Sequence, residues 1–228
     1  MTLGENCNNQ FDDEVKKVLF RMFKNLFGDP SDDLEREHKP IPLKRKGDIN
    51  YEVEWRTADV EKDGHKVIHV DQTRHGETVM IYRLHHYDFN ELEDQTIHLR
   101  IKIITPKGVK SPDSIAFLSF YHTNKLMRIS DIKIKGERVS RGYGSILMKA
   151  IMQLVDQLQV RYITGWISGV DWDHIDRSEH FYRKFGFDCD LNHEAQSGRI
   201  TWVNQALGAT REELIKLKST EDVGSEAI

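Results

Sequence analysis

Six consecutive residues, Ser140-Arg141-Gly142-Tyr143-Gly144-Ser145, carry the clearest chemical signal in the chain. They separate a strand-like run, Arg128 to Ile134, from a helical pattern that ends at Leu158. At such a junction the first backbone N–H groups of the helix have no intrahelical acceptor, and with the helix dipole they form a seat for a phosphate or pyrophosphate. Glycine suits the turn because it adopts positive φ and lets an anion approach the backbone without a Cβ in between. The Gly-x-Gly pair alone leaves several uses open, a purely connecting turn among them. A dinucleotide fingerprint would want a third glycine where Leu147 stands, and a place early in a parallel βαβ unit. A Walker loop would want Gly-x4-Gly-Lys-Ser/Thr, which the chain lacks, as it lacks HExxH and Gly-x-Ser-x-Gly.

Other reactive groupings are weaker. Asp171-Trp172-Asp173-His174, with Asp176 and His180, offers metal-ligand types, but the spacing matches no zinc pattern and reads as a solvated helix start. His85 and His86 are adjacent at a strand end and point to opposite sides. Cys7 and Cys189 are the two cysteines, which excludes a disulfide framework and a CxxC pair. No metal is expected.

The elements that must position the glycine turn are set by periodicity. Asp12 to Phe27 reads as a helix, with Val15, Leu19, Met22, Phe23 and Leu26 on one stripe and Gly28 as its stop; the stripe calls for burial in the chain's own core or against a second copy, as in a homodimer. Asp29 to Gly47 reads as a charged connector. Strand-like runs then cover Tyr51 to Trp55, Lys66 to Val70, Thr78 to Leu84, Thr96 to Ile104, Ser114 to Tyr121 and Met127 to Ile134, predicting a largely antiparallel sheet. After the turn come a helix over Ser145 to Leu158 and a strand over Tyr162 to Ser168. A second helix spans His174 to Phe185, with Asp173 as N-cap and Gly186 as stop. A strand over Arg199 to Val203, a short helix over Arg211 to Lys218 and a frayed acidic tail over 219–228 complete the chain. The expected division is 1–48 as helix and connector, 49–218 as one domain, and the tail.

The run Ile132-Lys133-Ile134, then Arg141-Gly142-Tyr143-Gly144-Ser145-Ile146-Leu147-Met148, resembles motif A of the GNAT N-acetyltransferases. About forty residues on, Phe181-Tyr182-Arg183-Lys184-Phe185-Gly186-Phe187 resembles their motif B. The two motifs stand in the family's order, and the resemblance covers roughly Thr96 to Val203. It implies an α/β (α+β) fold: a central, mostly antiparallel mixed sheet flanked by helices, here with an N-terminal helical extension. It implies acetyl-coenzyme A as cofactor, with the backbone of Ile132, Lys133 and Ile134 pairing with the pantetheine arm and the loop of Val139, Ser140, Arg141, Gly142, Tyr143, Gly144 and Ser145 holding the pyrophosphate. The family usually carries Gln or Arg three residues before the first glycine; this chain has Val139 there and Arg138 one place earlier.

The resemblance further implies that Tyr182 protonates the leaving thiolate, a task open to a phenol of ordinary pKa near 10; Phe181 and Phe185 read as packing. A neutral amine is needed for attack, so a proton acceptor is needed too. The family often places a carboxylate on the strand before the glycine turn, where this chain has Arg128 or Ser130. Asp131 is the adjacent candidate, although strand alternation turns it away from Ser130. A water chain to Glu137, Asp171 or His122 is equally allowed. The acceptor is a small-molecule or protein amine. A non-catalytic acyl-CoA-binding or sensing module is the alternative, and a partner-binding protein with the first helix as docking element is a third.

Composition sets outer limits. With 228 residues, 38% apolar and 31% charged, the chain is long enough for one buried core, and it lacks an apolar run of roughly 18 residues. Its start is polar and acidic, unlike a secretory signal, so a cytoplasmic, non-membrane setting is expected. A net charge of -4 gives no general attraction to nucleic acid, and Lys44-Arg45-Lys46 reads as solvated linker.

Overall fold

The computed structural model describes residues 39–85, 93–134 and 140–224. The expected helix Asp12 to Phe27, and Glu137, Arg138 and Val139 before the glycine turn, lie outside the described residues. The chain divides into Met1–Lys39 and Pro40–Ile228, and every helix and strand among the described residues belongs to the second unit.

The first element of that unit, α1, spans Ile49–Lys62, where the sequence pattern pointed to a strand over Tyr51 to Trp55. The Asp48 carboxylate accepts a hydrogen bond from the Tyr51 N–H at 2.9 Å and caps the helix start. Glu52 and Arg56, one turn apart, form a buried ion pair at 2.8 Å. Ile49 and Val53 pack on Met80, Ile104 and Val109. These contacts recur at the helical period and override the short alternation at Tyr51, Val53 and Trp55.

The strands are β1 Lys66–Gln72, β2 Thr78–Arg83, β3 Gln95–Thr105, β4 Gly108–Tyr121, β5 Leu126–Lys133, β6 Tyr162–Ile167, β7 Asp188–Asn192 and β8 Ser197–Val203. Helix α2 is Tyr143–Gln157, α3 Ile175–Lys184 and α4 Arg211–Gly224. Besides α1, further elements differ from expectation, and β4 begins at Gly108, six residues before the expected Ser114. Strand β7, absent from the sequence reading, forms a hairpin with β8. Asp173 lies inside a 3₁₀ turn, Gly169–His174, so α3 starts after His174 and has no side-chain cap. Helix α4 runs on to Gly224, past the expected end at Lys218.

All eight strands form one sheet in the order β1-β2-β3-β4-β5-β6-β8-β7. Every neighbouring pair is antiparallel except β5 and β6, which are parallel and joined through α2. One face carries the main core: Val79, Ile81, Ile97, Leu99, Ile101, Leu118, Met127, Ile129 and Ile163 meet Ile146, Leu147, Ile151 and Leu154 of α2, with Phe181 of α3 and Phe185 just past its end packed at its margin. Burying a Leu or Ile side chain is worth roughly 1.5–3 kcal/mol, so this face dominates the fold's stability. On the other face α1 covers Met80 and Ile104, and α4 covers Leu126 and Tyr162 through Leu214. The architecture is α/β, a mostly antiparallel mixed sheet flanked by helices. No described helix is long and apolar enough to cross a membrane.

Candidate functional site

Strands β5 and β6 pair from Leu126–Tyr162 to Ile129–Gly165, and there the pairing ends although β5 continues to Lys133 and β6 to Ile167. The cause is local. The β4–β5 register shifts so that Leu118 faces Ile129 while Phe117 faces Asp131, leaving Ser130 as the extra residue of a bulge. A bulge bends and twists its strand, which carries the end of β5 away from β6. At the last paired position, a Cβ on Gly165 would come within 2.9 Å of Ile200 and 3.2 Å of the Ile129 carbonyl oxygen, so glycine permits close approach just before the strands part. Residues 131–133 of β5 thus pair with β4 on one side and with no described strand on the other. The bulge also corrects the expected facing of Asp131: Ile129 and Ile132 both pack toward the main core, so simple alternation fails here and Asp131 lies on the opposite face.

Above the splay stands the glycine turn. Ser140 and Gly142 have φ of 62° and 94°, and α2 begins directly after Gly142 with no side-chain cap and no acidic residue in its first turn. The two glycines differ. A Cβ on Gly142 would meet nothing within 4 Å, so the backbone there is open to an approaching group. A Cβ on Gly144 would lie 3.3 Å from the Phe181 ring and 3.5 Å from Ile134; that glycine serves the fit of α2 against α3 and β5. Arg141 and Ser145 are partly exposed, and Ser140 and Lys133 exposed.

Tyr143 is buried, and its hydroxyl donates to Glu77 at 2.5 Å. Lys110 stands 3.2 Å from the same carboxylate and donates to the Tyr143 oxygen at 3.3 Å, and Arg141 lies 3.7 Å from Glu77. Tyr143 can therefore serve a ligand only through its backbone. Burial pushes the Glu77 carboxyl up, but hydrogen bonds from Tyr143 and Lys110 and the charges of Lys110 and Arg141 outweigh it and hold the group below its ordinary value. Glu77, directly before β2, thereby ties the glycine turn to the far half of the sheet. The sequence held no signal for this tie across 66 residues.

Tyr182 sits on α3 with its ring edge-on to Phe181 at 5.2 Å and to Phe187 at 5.5 Å. Phe181 and Phe185 pack as expected at the core margin. Asp131 is ion-paired with Lys133 at 3.1 Å, both half-exposed. His122 is engaged in the β4–β5 turn, its N–H donating to Asp94 at 2.7 Å. Two residues not singled out from the sequence, His98 on β3 and Trp166 on β6, share the Asp131 face. A groove of about 600 Å³ between α1 and β1–β2, lined by Ile49, Val53 and Val70, is separate from the splay.

No family model matches the chain. Uncharacterized protein YocC from Bacillus subtilis (strain 168) is 29% identical over 154 residues, covering 68% of this chain and 86% of that protein. A GNAT family acetyltransferase from Elizabethkingia anophelis, solved with acetyl-CoA bound, is similar at 14% identity and TM-score 0.39, covering 55% of this chain and 98% of that one. An acetyltransferase from Bacillus cereus ATCC 14579 is similar at 15% identity and TM-score 0.35, covering 50% and 76%.

Proposed function

We propose that this chain is a GNAT-type acyltransferase that takes the acetyl group from acetyl-coenzyme A and passes it to an amine. The observation that carries the reading is the splay of β5 and β6 beneath a helix start that is uncapped, free of acids and opened by Gly142 at φ 94°. The residues present fit the donor. The edge of β5 over Ile132 and Lys133, which no described strand pairs with, and Ile134 just beyond it would offer backbone groups to the amides of a pantetheine arm, as a neighbouring strand would. Ser140, Arg141, Gly142, Tyr143, Gly144 and Ser145 would seat the pyrophosphate through backbone N–H groups, with the Arg141 charge beside them. Acetyl-coenzyme A supplies a thioester whose carbonyl carbon accepts the amine.

In this reading Tyr182 donates its phenolic proton to the departing sulfur. Asp131, beside the bulge and on the face away from α2, draws the acceptor's ammonium group toward the thioester. Isothermal titration with acetyl-coenzyme A, followed by mass spectrometry of an amine panel, tests the proposal. Stoichiometric binding with an acetylated amine supports it; binding without product favours a sensing module, and no binding removes the donor.

A further inference from the structure

We propose that His98 is the proton acceptor for the incoming ammonium group, with the amine held on the sheet face away from α2 and α3, across a row formed by His98, Phe117, Asp131 and Trp166. This rests on the acyl-transfer reading above.

The row is set by strand register. On β3, Ile97, Leu99, Ile101 and Ile103 face the main core, which places His98 on the other face. His98 is directly opposite Phe117 on β4, and Phe117 is directly opposite Asp131 at the β5 bulge. Two interstrand spacings put the His98 and Asp131 backbones about 10 Å apart, a span that an amine and one bridging water fill. On the far lip of the splay, Trp166 comes directly after the last β6 residue paired with β5; Ile163 and Ile167 pack into the core, so Trp166 points to the same face as Asp131, and it is 59% exposed. On this face α1 covers the sheet at Met80 and α4 covers it at Leu126 and Tyr162, and the row lies between them. An indole face, a carboxylate and an imidazole together suit a cationic amine.

The state of the ring fits the task. Partial burial first, then the Arg100 charge, then His85, push the His98 imidazole below its ordinary 6.5, so it is neutral and able to accept a proton near pH 7. Arg100 lies on its own strand, and His85 comes after β2 with its ring edge-on to His65 at 5.4 Å. Strand β4 presents Phe117, whose ring is edge-on to His98 at 4.9 Å, and the uncharged Ser119; β5 presents Arg128, opposite Ser119 and over the Tyr121 ring, together with Asp131 and Lys133. Asp131 is already held by Lys133, whereas among the described residues no ion pair holds His98. The protons balance. His98 takes one from R–NH₃⁺ and releases it to water; the free amine forms the C–N bond as the C–S bond breaks; the nitrogen's second proton replaces the one that Tyr182 gives to the sulfur.

The test uses the full chain with 1,5-diaminopentane and an N-blocked lysine peptide as acceptors, thiol release as the rate, titration calorimetry with acetyl-coenzyme A, and ¹⁵N-detected imidazole NMR. Wild-type kcat/KM should fall as pH drops through a value below 6.5, the His98 resonance should titrate over the same range, and at least one amine should shift that resonance. His98→Asn should bind acetyl-coenzyme A within about threefold of wild type. Its rate should be roughly a hundredfold lower at pH 7, within the range for general base catalysis, and should recover as pH rises and free amine accumulates. Asp131→Asn should keep the acid limb. A His98→Asn profile parallel to wild type at every pH, or a His98 resonance unmoved by either amine, overturns the proposal while leaving acetyl-coenzyme A binding intact. Failure of the wild-type chain to bind acetyl-coenzyme A overturns the acyl-transfer reading and this proposal with it.

Discussion

The two halves of the sheet use strand pairing in opposite ways. Between β3 and β4 the antiparallel register runs from Gln95–Phe120 to Thr105–Gly108, so the backbone groups on the facing edges of those strands are largely spoken for. Between β5 and β6 the parallel register stops at Ile129–Gly165, and beyond it β5 has an edge that no described strand pairs with. Backbone donors and acceptors are costly to leave unsatisfied once water is excluded, so a ligand with amide groups gains most where pairing was withheld. The closed β3–β4 pairing leaves only side chains to meet a ligand, whereas the β5–β6 splay leaves backbone groups that a strand-like ligand could pair with.

The sharpest break of this contrast is Gly142→Asp. At φ 94° and with open space around its Cβ, position 142 accepts Asp or Asn at similar backbone cost, since both visit the left-handed region. The carboxylate would repel a pyrophosphate by roughly 4 kcal/mol at about 4 Å in a partly screened setting. Gly142→Asp should weaken acetyl-coenzyme A by about a hundredfold or more in titration calorimetry, and Gly142→Asn should stay within about tenfold of wild type. Equal affinities for the two variants would show that no anion sits at this turn.

Next in size is Tyr182→Phe, which removes a hydroxyl and keeps the ring that meets Phe181 and Phe187. Turnover should fall roughly ten- to a thousandfold, with acetyl-coenzyme A affinity nearly unchanged, and a better thiol leaving group should restore part of the loss. Single-turnover rates equal to wild type would return Tyr182 to packing alone.

Much of the contrast was legible in sequence, for a physical reason. The strand alternation of β3 and β5 and the helical spacing of Leu147, Ile151 and Leu154 are local patterns that survive folding. The junction at Ser140 to Ser145 was also local, since positive φ selects glycine. What escaped was non-local. The bulge at Ser130 shows itself only once β4 is alongside, and it reversed the facing inferred for Asp131. The Tyr143–Glu77 bond joins residues far apart in the chain. Helix α1 misled for a different reason: three apolar residues in alternation cannot outvote a cap at Asp48 and contacts at helical spacing.

The tie between the halves can be loosened by Glu77→Gln, which keeps shape and removes charge. The variant should lose about 2 kcal/mol of stability, the size of a charge-assisted hydrogen bond, and bind acetyl-coenzyme A a few-fold more weakly as Tyr143 and Arg141 lose their anchor. The pH sign is fixed by the lowered Glu77 value. Its contribution is present above the unfolded-state value near 4.5 and is lost as pH falls through the lower folded-state value. Wild-type Tm should therefore drop more steeply than that of Glu77→Gln below about pH 4.5. Parallel curves would mean that the carboxylate is not held in this network.

The smallest expected effect separates the two glycines of one motif. Gly144→Ala adds a Cβ 3.3 Å from the Phe181 ring and 3.5 Å from Ile134, tight enough that the ring must give by a few tenths of an ångström. Against that strain stands the better helix propensity of alanine, worth about 1 kcal/mol inside a helix. Position 144 lies in the first turn of α2, where propensity counts less, so the packing cost should win narrowly and Tm should fall by a few degrees. Because the new methyl group points at α3 and β5 and away from the open side of the turn, acetyl-coenzyme A affinity should change less than about threefold. In a double-mutant cycle with Phe181→Leu the cost of Gly144→Ala should shrink, since a smaller side chain relieves the contact. A large loss of affinity in Gly144→Ala, with Tm unchanged, would place the ligand against Gly144 and undo the division of roles between the two residues.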